Sequence, residues 1–390
     1  MSDSFAKRPA LALAATLALG SAVVVIPAAP SLAAPASASH ATIARTAAVS
    51  AVKTQWAWGN GTALKAKELT PTALSASSYY LRVDRNQGHV VQLVGTLPNG
   101  HGVGIDDQGR LREYTKAGPQ AFQRGRTAPL YTAVVRGSVV YGISVDGELL
   151  RFTGAGARAA NLGKPAGLVS GSPAISGSRI YWTRYVSAGA GKLRNEVVSR
   201  ALSGGATKVV AKDARDPRVT DAGLLVVRTG PAYGAQDYDA MYTVRGIDVI
   251  GSKGAKRLLT FKGAGLGSQI GDGPWTVDAS GRTLTLSAAG TSGQLVINLK
   301  TRQAWRINVP KGTVPSWTGV SGARAVWDVR DGGGEARGKG VYIMNVDTGK
   351  AQLLKTKTGS LNTPVVNGKA IAWTYDRPDG LVQFKSIVLK

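Results

Sequence analysis

The stretch "NGKAIAWTYD", residues 367–376, has two counterparts, "SGSRIYWTRY" at 176–185 and "SGARAVWDVR" at 321–330. In each copy a small or turn-forming residue precedes a glycine, a small or basic residue follows it, and a tryptophan stands five positions after it. Glycines 137, 177, 223, 281, 322 and 368 all sit in turn signals before short apolar runs, with gaps of 40, 46, 58, 41 and 46. Periods of about 40–50 residues containing several short strands mark a β-propeller, in which one four-stranded sheet forms one blade. No long segment has a helical period, so the chain reads as all-β.

Residues 314–356 contain one whole unit. "PSWTGV" reads as the inner strand, "ARAVWDV" as the second, "GVYIMNV" as the third, "DTGK" as a hairpin and "AQLLKT" as the outer strand. Both alternating sets of the second strand are apolar, with Ala325 and Trp327 on one face and Val326 and Val329 largely on the other. A sheet covered on both faces has this pattern, because each blade packs against two neighbours. Trp182, Trp327 and Trp373 therefore read as packing between blades, where their large area is buried.

A further unit precedes Gly137, since "GRLREYT" at 109–115 matches "GELLRFT" at 147–153. Its expected strands are "SYYLRV", "VVQLVGT", "HGVGID" and "GRLREYT", which makes seven blades, with six as the second choice. The last unit provides "TPVV", "KAIAWTY" and "GLVQFKSIVL" but no outer strand. The N-terminal "VKTQWAW", residues 52–58, is expected to fill that place and close the ring, because an open last blade would expose a hydrophobic edge.

The segments "TPVVNGKAIAWTYD", "SPAISGSRIYWTRY" and "GVYIMNVDTGKAQLLKT" resemble the repeat of TolB-like β-propellers over about residues 130–390. In that repeat a Pro opens the inner strand, a Gly-basic turn precedes an apolar-aromatic strand, and a tyrosine strand leads into a Gly hairpin and a Leu strand. The family usually has Asp before the turn glycine, where this chain has Ser176, Ser321 and Asn367. The resemblance implies a propeller and does not by itself imply an activity.

The 390-residue chain carries 48 Lys and Arg against 23 Asp and Glu, a formal charge of +25, and no cysteine. Such a charge favours polyanions, or serves solubility alone. Residues 1–38 read as a secretory signal peptide: Lys7 and Arg8, then "LALAATLALGSAVVVIPAA", then Ala36-Ser37-Ala38 before Ser39. An uncleaved membrane anchor is the competing reading of that long apolar run. Residues 39–51 read as a disordered lead-in and 52–390 as the propeller domain. The expected protein is exported, with no membrane span after cleavage, monomeric, and held by its core rather than by disulfides.

Common hydrolytic and metal-site motifs are missing from the sequence. It has no H-E-x-x-H, no cysteine ligand and no G-x-S-x-G, and its histidines are His40, His89 and His101. "GGEARGKG" at 333–340 imitates a phosphate loop but ends in Gly340 where Ser or Thr would hold magnesium, and it lies between strands. The expectation is no catalytic residue, no metal and no cofactor. Ligand contacts are expected from Arg184, Arg194, Arg330, Arg337 and Lys339 on the face of the longer, mixed-charge loops, and from Arg218, Trp275 and Trp317 along the central funnel. The opposite face should collect Arg136, Arg158, Arg179, Lys208, Lys253, Lys256, Arg257, Arg282, Lys300, Arg302, Arg324, Lys350 and Lys369, with few acids beyond Asp221, Asp278 and Asp347.

Two functions fit these features. One is a non-catalytic binding or scaffold module for a protein or glycan at the long loops, with an anionic wall polymer held on the basic face. The other is a lyase-type enzyme acting on acidic polysaccharide. Nucleic acid fits less well, because the basic residues are dispersed and no reader motif is present.

Overall fold

The computed structural model describes residues 55–83, 90–125, 127–154, 156–165, 173–189, 193–233, 241–262, 274–288, 293–315, 318–331, 340–356, 364–376 and 382–390. Residues 1–51, expected from the sequence to be a signal peptide and a lead-in, lie outside these residues, as do His40 and His89. Among the described residues no helix is long and apolar enough to cross a membrane.

The fold is a seven-bladed propeller of antiparallel four-stranded sheets. Blade 1 is built from Val90–Thr96, Gly102–Asp106, Leu111–Thr115 and Gly118–Ala121, inner strand first. Blade 2 follows with Leu130–Arg136, Val139–Ser144, Leu149–Phe152 and Ala160–Asn161. Blade 3 has Ala174–Ser176, Arg179–Ser187, Leu193–Ala201 and Gly204–Lys212, and blade 4 has Ala214–Thr220, Gly223–Tyr233, Met241–Gly251 and Gly254–Lys262. Blade 5 uses Pro274–Ser280, Thr283–Ala288, Gly293–Asn298 and Ala304–Asn308. In blade 6, Gly319–Ser321, Arg324–Trp327, Gly340–Asn345 and Lys350–Lys355 form the sheet, while Thr313–Pro315 pairs separately with Val329–Asp331. Blade 7 contributes Val365–Asn367, Ala370–Asp376 and Val382–Leu389.

Ring closure differs from the sequence expectation in the identity of the strand. The N-terminal segment forms four short strands, β1 (Gln55–Trp58), β2 (Lys67–Leu69), β3 (Thr72–Ala73) and β4 (Tyr79–Val83). The closing strand is β4, which pairs antiparallel with Lys385–Leu389 as the outer strand of blade 7. The "QWAW" strand β1 instead pairs antiparallel with Leu259–Lys262 as a fifth strand on blade 4. β2 then adds in parallel to blade 5, and β3 in parallel to blade 6. The segment is thus a peripheral strap over the outer edges of blades 4, 5 and 6 that ends by completing blade 7.

The physical reason is proximity along the ring. Only residues 84–89 separate β4 from the inner strand of blade 1, so β4 lies on the adjacent blade and leaves β1 to travel farther round. Blade 1 accordingly begins one strand later than expected. "GRLREYT" and "GELLRFT" do match, but as third strands rather than outer ones.

The repeated tryptophans are fully buried between blades. Trp182 packs with Tyr141, Ile143 and Leu149 of blade 2, Trp327 with Val296, Trp305 and Ile307 of blade 5, and Trp373 with Val326, Val341 and Ile343 of blade 6. Each therefore faces the preceding blade, because the phase of strand alternation relative to the turn glycine is the same in every copy. The strap adds apolar anchors from outside: Trp56 enters the core between blades 4 and 5, Leu69 packs between blades 5 and 6, and Leu74 and Tyr79 between blades 6 and 7.

Candidate binding surface

Each blade sends its inner-to-second and third-to-outer turns to one end of the ring, the turn face, and its other connections to the opposite end, the loop face. At the turn face the repeated glycine turns are hydrogen-bonded to one another. The N–H of Asp221 donates to the carbonyl of Gly281 at 2.8 Å, Arg282 N–H to Gly322 at 3.2 Å, and Gly368 N–H to the Ser321 hydroxyl at 3.0 Å. The Asn367 amide donates to the carbonyls of Thr96 and Gly137, at 2.9 and 3.0 Å, joining blade 7 to blades 1 and 2. The Arg136 guanidinium continues the collar to the Ile175 carbonyl of blade 3. Gly281 has φ +56°, and a Cβ there would lie 2.6 Å from the Gly322 Cα, so glycine is needed for this close approach.

Basic residues project from the same turns. Arg136, Arg179, Arg282, Arg324 and Lys369 lie in or beside inner turns, and Lys253, Lys300 and Lys350 in or beside outer ones. The four lysines are exposed and form no salt bridge among the described residues. Arg324 donates to the Gly368 carbonyl, while Arg282 pairs with Asp347 at 2.7 Å.

On the loop side two pairs of arginines each share one buried carboxylate. Arg184 and Arg194, expected as ligand contacts, lie on adjacent strands of blade 3 and grip opposite oxygens of Glu196, at 2.8 and 3.0 Å. Glu196 is only 3% exposed. Burial raises its pKa, but the hydrogen bonds and positive charges of the two arginines outweigh that and hold the carboxylate below its ordinary value. Asp106 of blade 1 has the same arrangement, accepting Arg110 and Arg112 at 2.8 Å plus the N–H groups of Gln108 and Arg110. Its pKa is likewise lowered on balance, against the desolvation that raises it. Nearer the turn face of blade 4, Asp248 accepts both Arg228 and Arg257.

Arg218 links the inner strands of blades 4 and 5 beside the axial channel, pairing with Asp278 at 2.7 Å. Desolvation is the largest influence on Asp278 and keeps its pKa above the ordinary carboxylate value despite the partner arginine. Arg215 pairs with Asp216 at 2.8 Å, and the Asp216 N–H donates to the Thr183 hydroxyl of blade 3. Arg184 and Thr183 are consecutive on one strand and point to opposite faces, so Arg184 and Arg218 belong to separate clusters.

The remaining expected contacts are placed less fully. Trp275 lies in the inner strand of blade 5, and Arg330 in the short strand Val329–Asp331, where it pairs in register with Val314. Trp317, Arg337 and Lys339 lie outside the described residues. His101 Nδ1 lies 2.5 Å from the Glu113 carboxylate within blade 1.

Sequence reading overlooked a groove at the turn face between blades 3 and 4. It has a volume of about 370 Å³ and is lined by Ser176, Arg179, Tyr181 and Ser199 on one side and Thr220, Leu224, Ile250 and Ser252 on the other. Five residues after Gly223 stands a charged residue, Arg228, where three units have tryptophan and the other two have Gly142 and Leu286. The blade 3–4 core consists of the small residues Val197, Ala211, Ala214 and Val226 with Leu224, and no tryptophan fills the gap.

No known protein family's profile matches the chain, and no curated protein matches it. Among solved structures it is similar to an oligogalacturonate lyase in complex with manganese, at 12% identity and a TM-score of 0.48, covering 80% of this chain and 91% of that one. An oligogalacturonate lyase from Vibrio parahaemolyticus gives 9% identity and a TM-score of 0.48, covering 80% and 97%. A puromycin hydrolase gives 13% identity and a TM-score of 0.49, covering 80% of this chain and 55% of that chain. At these identities the likeness concerns architecture alone.

Proposed function

We propose that this protein is an exported, TolB-like propeller acting as a non-catalytic binding or scaffold module. Its turn face holds an anionic wall or extracellular polymer, and its mixed-charge loop face takes a protein or glycan partner. The observation that carries this reading is the unequal pairing of cations on the two faces. Toward the loops, Arg110 and Arg112 share Asp106 and Arg184 and Arg194 share Glu196, so each buried carboxylate cancels half the charge of its pair. At the turns, Lys253, Lys300, Lys350 and Lys369 stand exposed without a carboxylate partner among the described residues. A surface of one sign raises the local concentration of an oppositely charged polymer, and salt weakens that attraction once the Debye length falls to about 8–10 Å or less.

The test is retention of purified residues 39–390 on an anionic cell-wall preparation across a salt gradient. Retention at low salt with release as salt rises is the expected outcome. Charge-reversing Lys253, Lys300, Lys350 and Lys369 to Glu together should abolish it without changing the melting temperature. Absence of retention even at low salt would overturn the reading.

A further inference from the structure

We infer that the groove between blades 3 and 4 is a specific oxyanion site, seating a phosphate or carboxylate group of a hydroxyl-bearing anionic polymer. This inference rests on the binding-module reading and assigns it one defined seat. Three independent features of the groove converge on this ligand chemistry.

The first is an uncompensated guanidinium. Arg179 donates through Nη2 to the Ser199 hydroxyl at 2.7 Å, and no carboxylate pairs with it among the described residues. The arginines of neighbouring Glu196, Asp216 and Asp248 are all matched to acids. Arg179 is half-buried, so its charge is less screened than that of the surface lysines, and its planar fork suits two parallel bonds to an oxyanion.

The second is the cavity's composition. Its lining contains no acid, and the hydroxyls of Ser176, Thr220 and Ser252 accompany Arg179 and Ser199. Leu224, Ile250 and Tyr181 supply an apolar wall for the carbon face of a sugar or polyol unit. A volume of about 370 Å³ is at the small end of ligand cavities, enough for one or two such units. Lys208 stands opposite Ser199 in register, and Lys253 follows Ser252, so further cations flank the groove along the path of a chain.

The third is the reason the groove exists. The collar of turn-to-turn hydrogen bonds joins blades 4 through 7 and on to blades 1, 2 and 3, yet among the described residues none joins the inner turns of blades 3 and 4. Where blades 3, 6 and 7 insert tryptophan, Arg228 turns to Asp248 and to the Lys212 carbonyl. The two sheets consequently meet toward the loop face, through Thr183 and Asp216, and part toward the turn face.

The experiment is calorimetric titration of residues 39–390 with oligomers of poly(glycerol phosphate) and, separately, of polygalacturonate, at physiological ionic strength. The wild type is compared with Arg179→Gln, Arg179→Lys and the control Arg324→Gln on the same face. The expected result is tighter binding of one oligomer, weakened about tenfold or more by Arg179→Gln, as loss of a charge-assisted pair predicts. Arg179→Lys should recover only part of it, and Arg324→Gln should change it little. Which oligomer is preferred identifies phosphate or carboxylate as the source. Equal weakening by Arg179→Gln and Arg324→Gln, or none by either, would overturn the groove while leaving the face-wide polymer reading intact. Failure of the wild type to bind either oligomer, with wall retention preserved, would also overturn the groove alone. Loss of wall retention would instead strike the broader reading. Arg179 bonds only to Ser199 among the described residues, so the variants should fold, which an unchanged melting temperature checks.

Discussion

At the level of single residues, the blade interfaces are set by close contacts that tolerate little change. Gly102 faces the Phe384 ring across the junction of blades 1 and 7, and a Cβ there would lie 1.9 Å from the ring's Cζ. The same ring stacks on Tyr114 at 5.3 Å between centroids. Gly102→Ala should therefore destabilise by about 1–3 kcal/mol through overpacking. Adding Phe384→Leu should recover part of that loss, a non-additivity measurable by urea denaturation of the four-member cycle. Additive losses would show that the ring is not the obstacle. The buried acids give a second prediction. Glu196 and Asp106 have folded pKa values below their ordinary values of 4.5 and 3.8, so the unfolded chain binds protons more readily than the native one. Their contribution to stability is full above the ordinary values and is lost as pH falls through them toward the folded ones. Denaturation midpoints should drop on acidification in that window. Glu196→Gln should flatten the drop, and an unchanged slope would remove Glu196 as its source. The repeated glycines and tryptophans were legible in the sequence because local turn geometry and strand alternation dictate them. Arg179 was legible only as one basic residue among many, since what distinguishes it is the absence of an acid across a cavity.

At the level of elements, the strap separates two roles that a strand-like sequence cannot distinguish. Both "QWAW" and "SYYLRV" have strand composition, and each needs an edge to pair with. The edge each receives depends on where the seven blades lie, which no local pattern encodes. A chain beginning at residue 67 lacks β1 but retains β4, so the ring remains closed while Trp56 and the packed Trp58, Leu64 and Ala66 are lost from the core between blades 4 and 5. Its melting temperature should fall by several degrees while the transition stays cooperative. A chain beginning at residue 84 also loses the outer strand of blade 7 and bares the edge Lys385–Leu389. It should lose cooperative unfolding or aggregate, as an uncovered apolar edge strand does. Comparable melting of the two truncations would refute the assignment of β4 as the closing strand. Blade 3 manages its own long outer strand, Gly204–Lys212, with Lys208 and Lys212 rather than with a covering strand from the strap.

Across the whole molecule, a charge of +25 becomes informative only once the pairing of cations is known. Composition indicates an affinity for polyanions in general, whereas the fold matches many loop-side arginines to buried acids and leaves the turn-side lysines exposed. The salt-dependent wall retention and the Arg179 titration therefore examine different parts of one surface, the diffuse field and the shaped seat within it. Local pattern along the chain carried the all-β class, the repeat, the seven-blade count and the packing of the repeated tryptophans between blades. Those features follow from local turn chemistry and strand periodicity, which neighbouring residues carry. The packed ring settled which N-terminal strand closes it, which arginines share buried acids, and where the interblade collar is interrupted. Each of these depends on groups brought together from distant parts of the chain, and the distances that decide their energies exist only after the ring has closed.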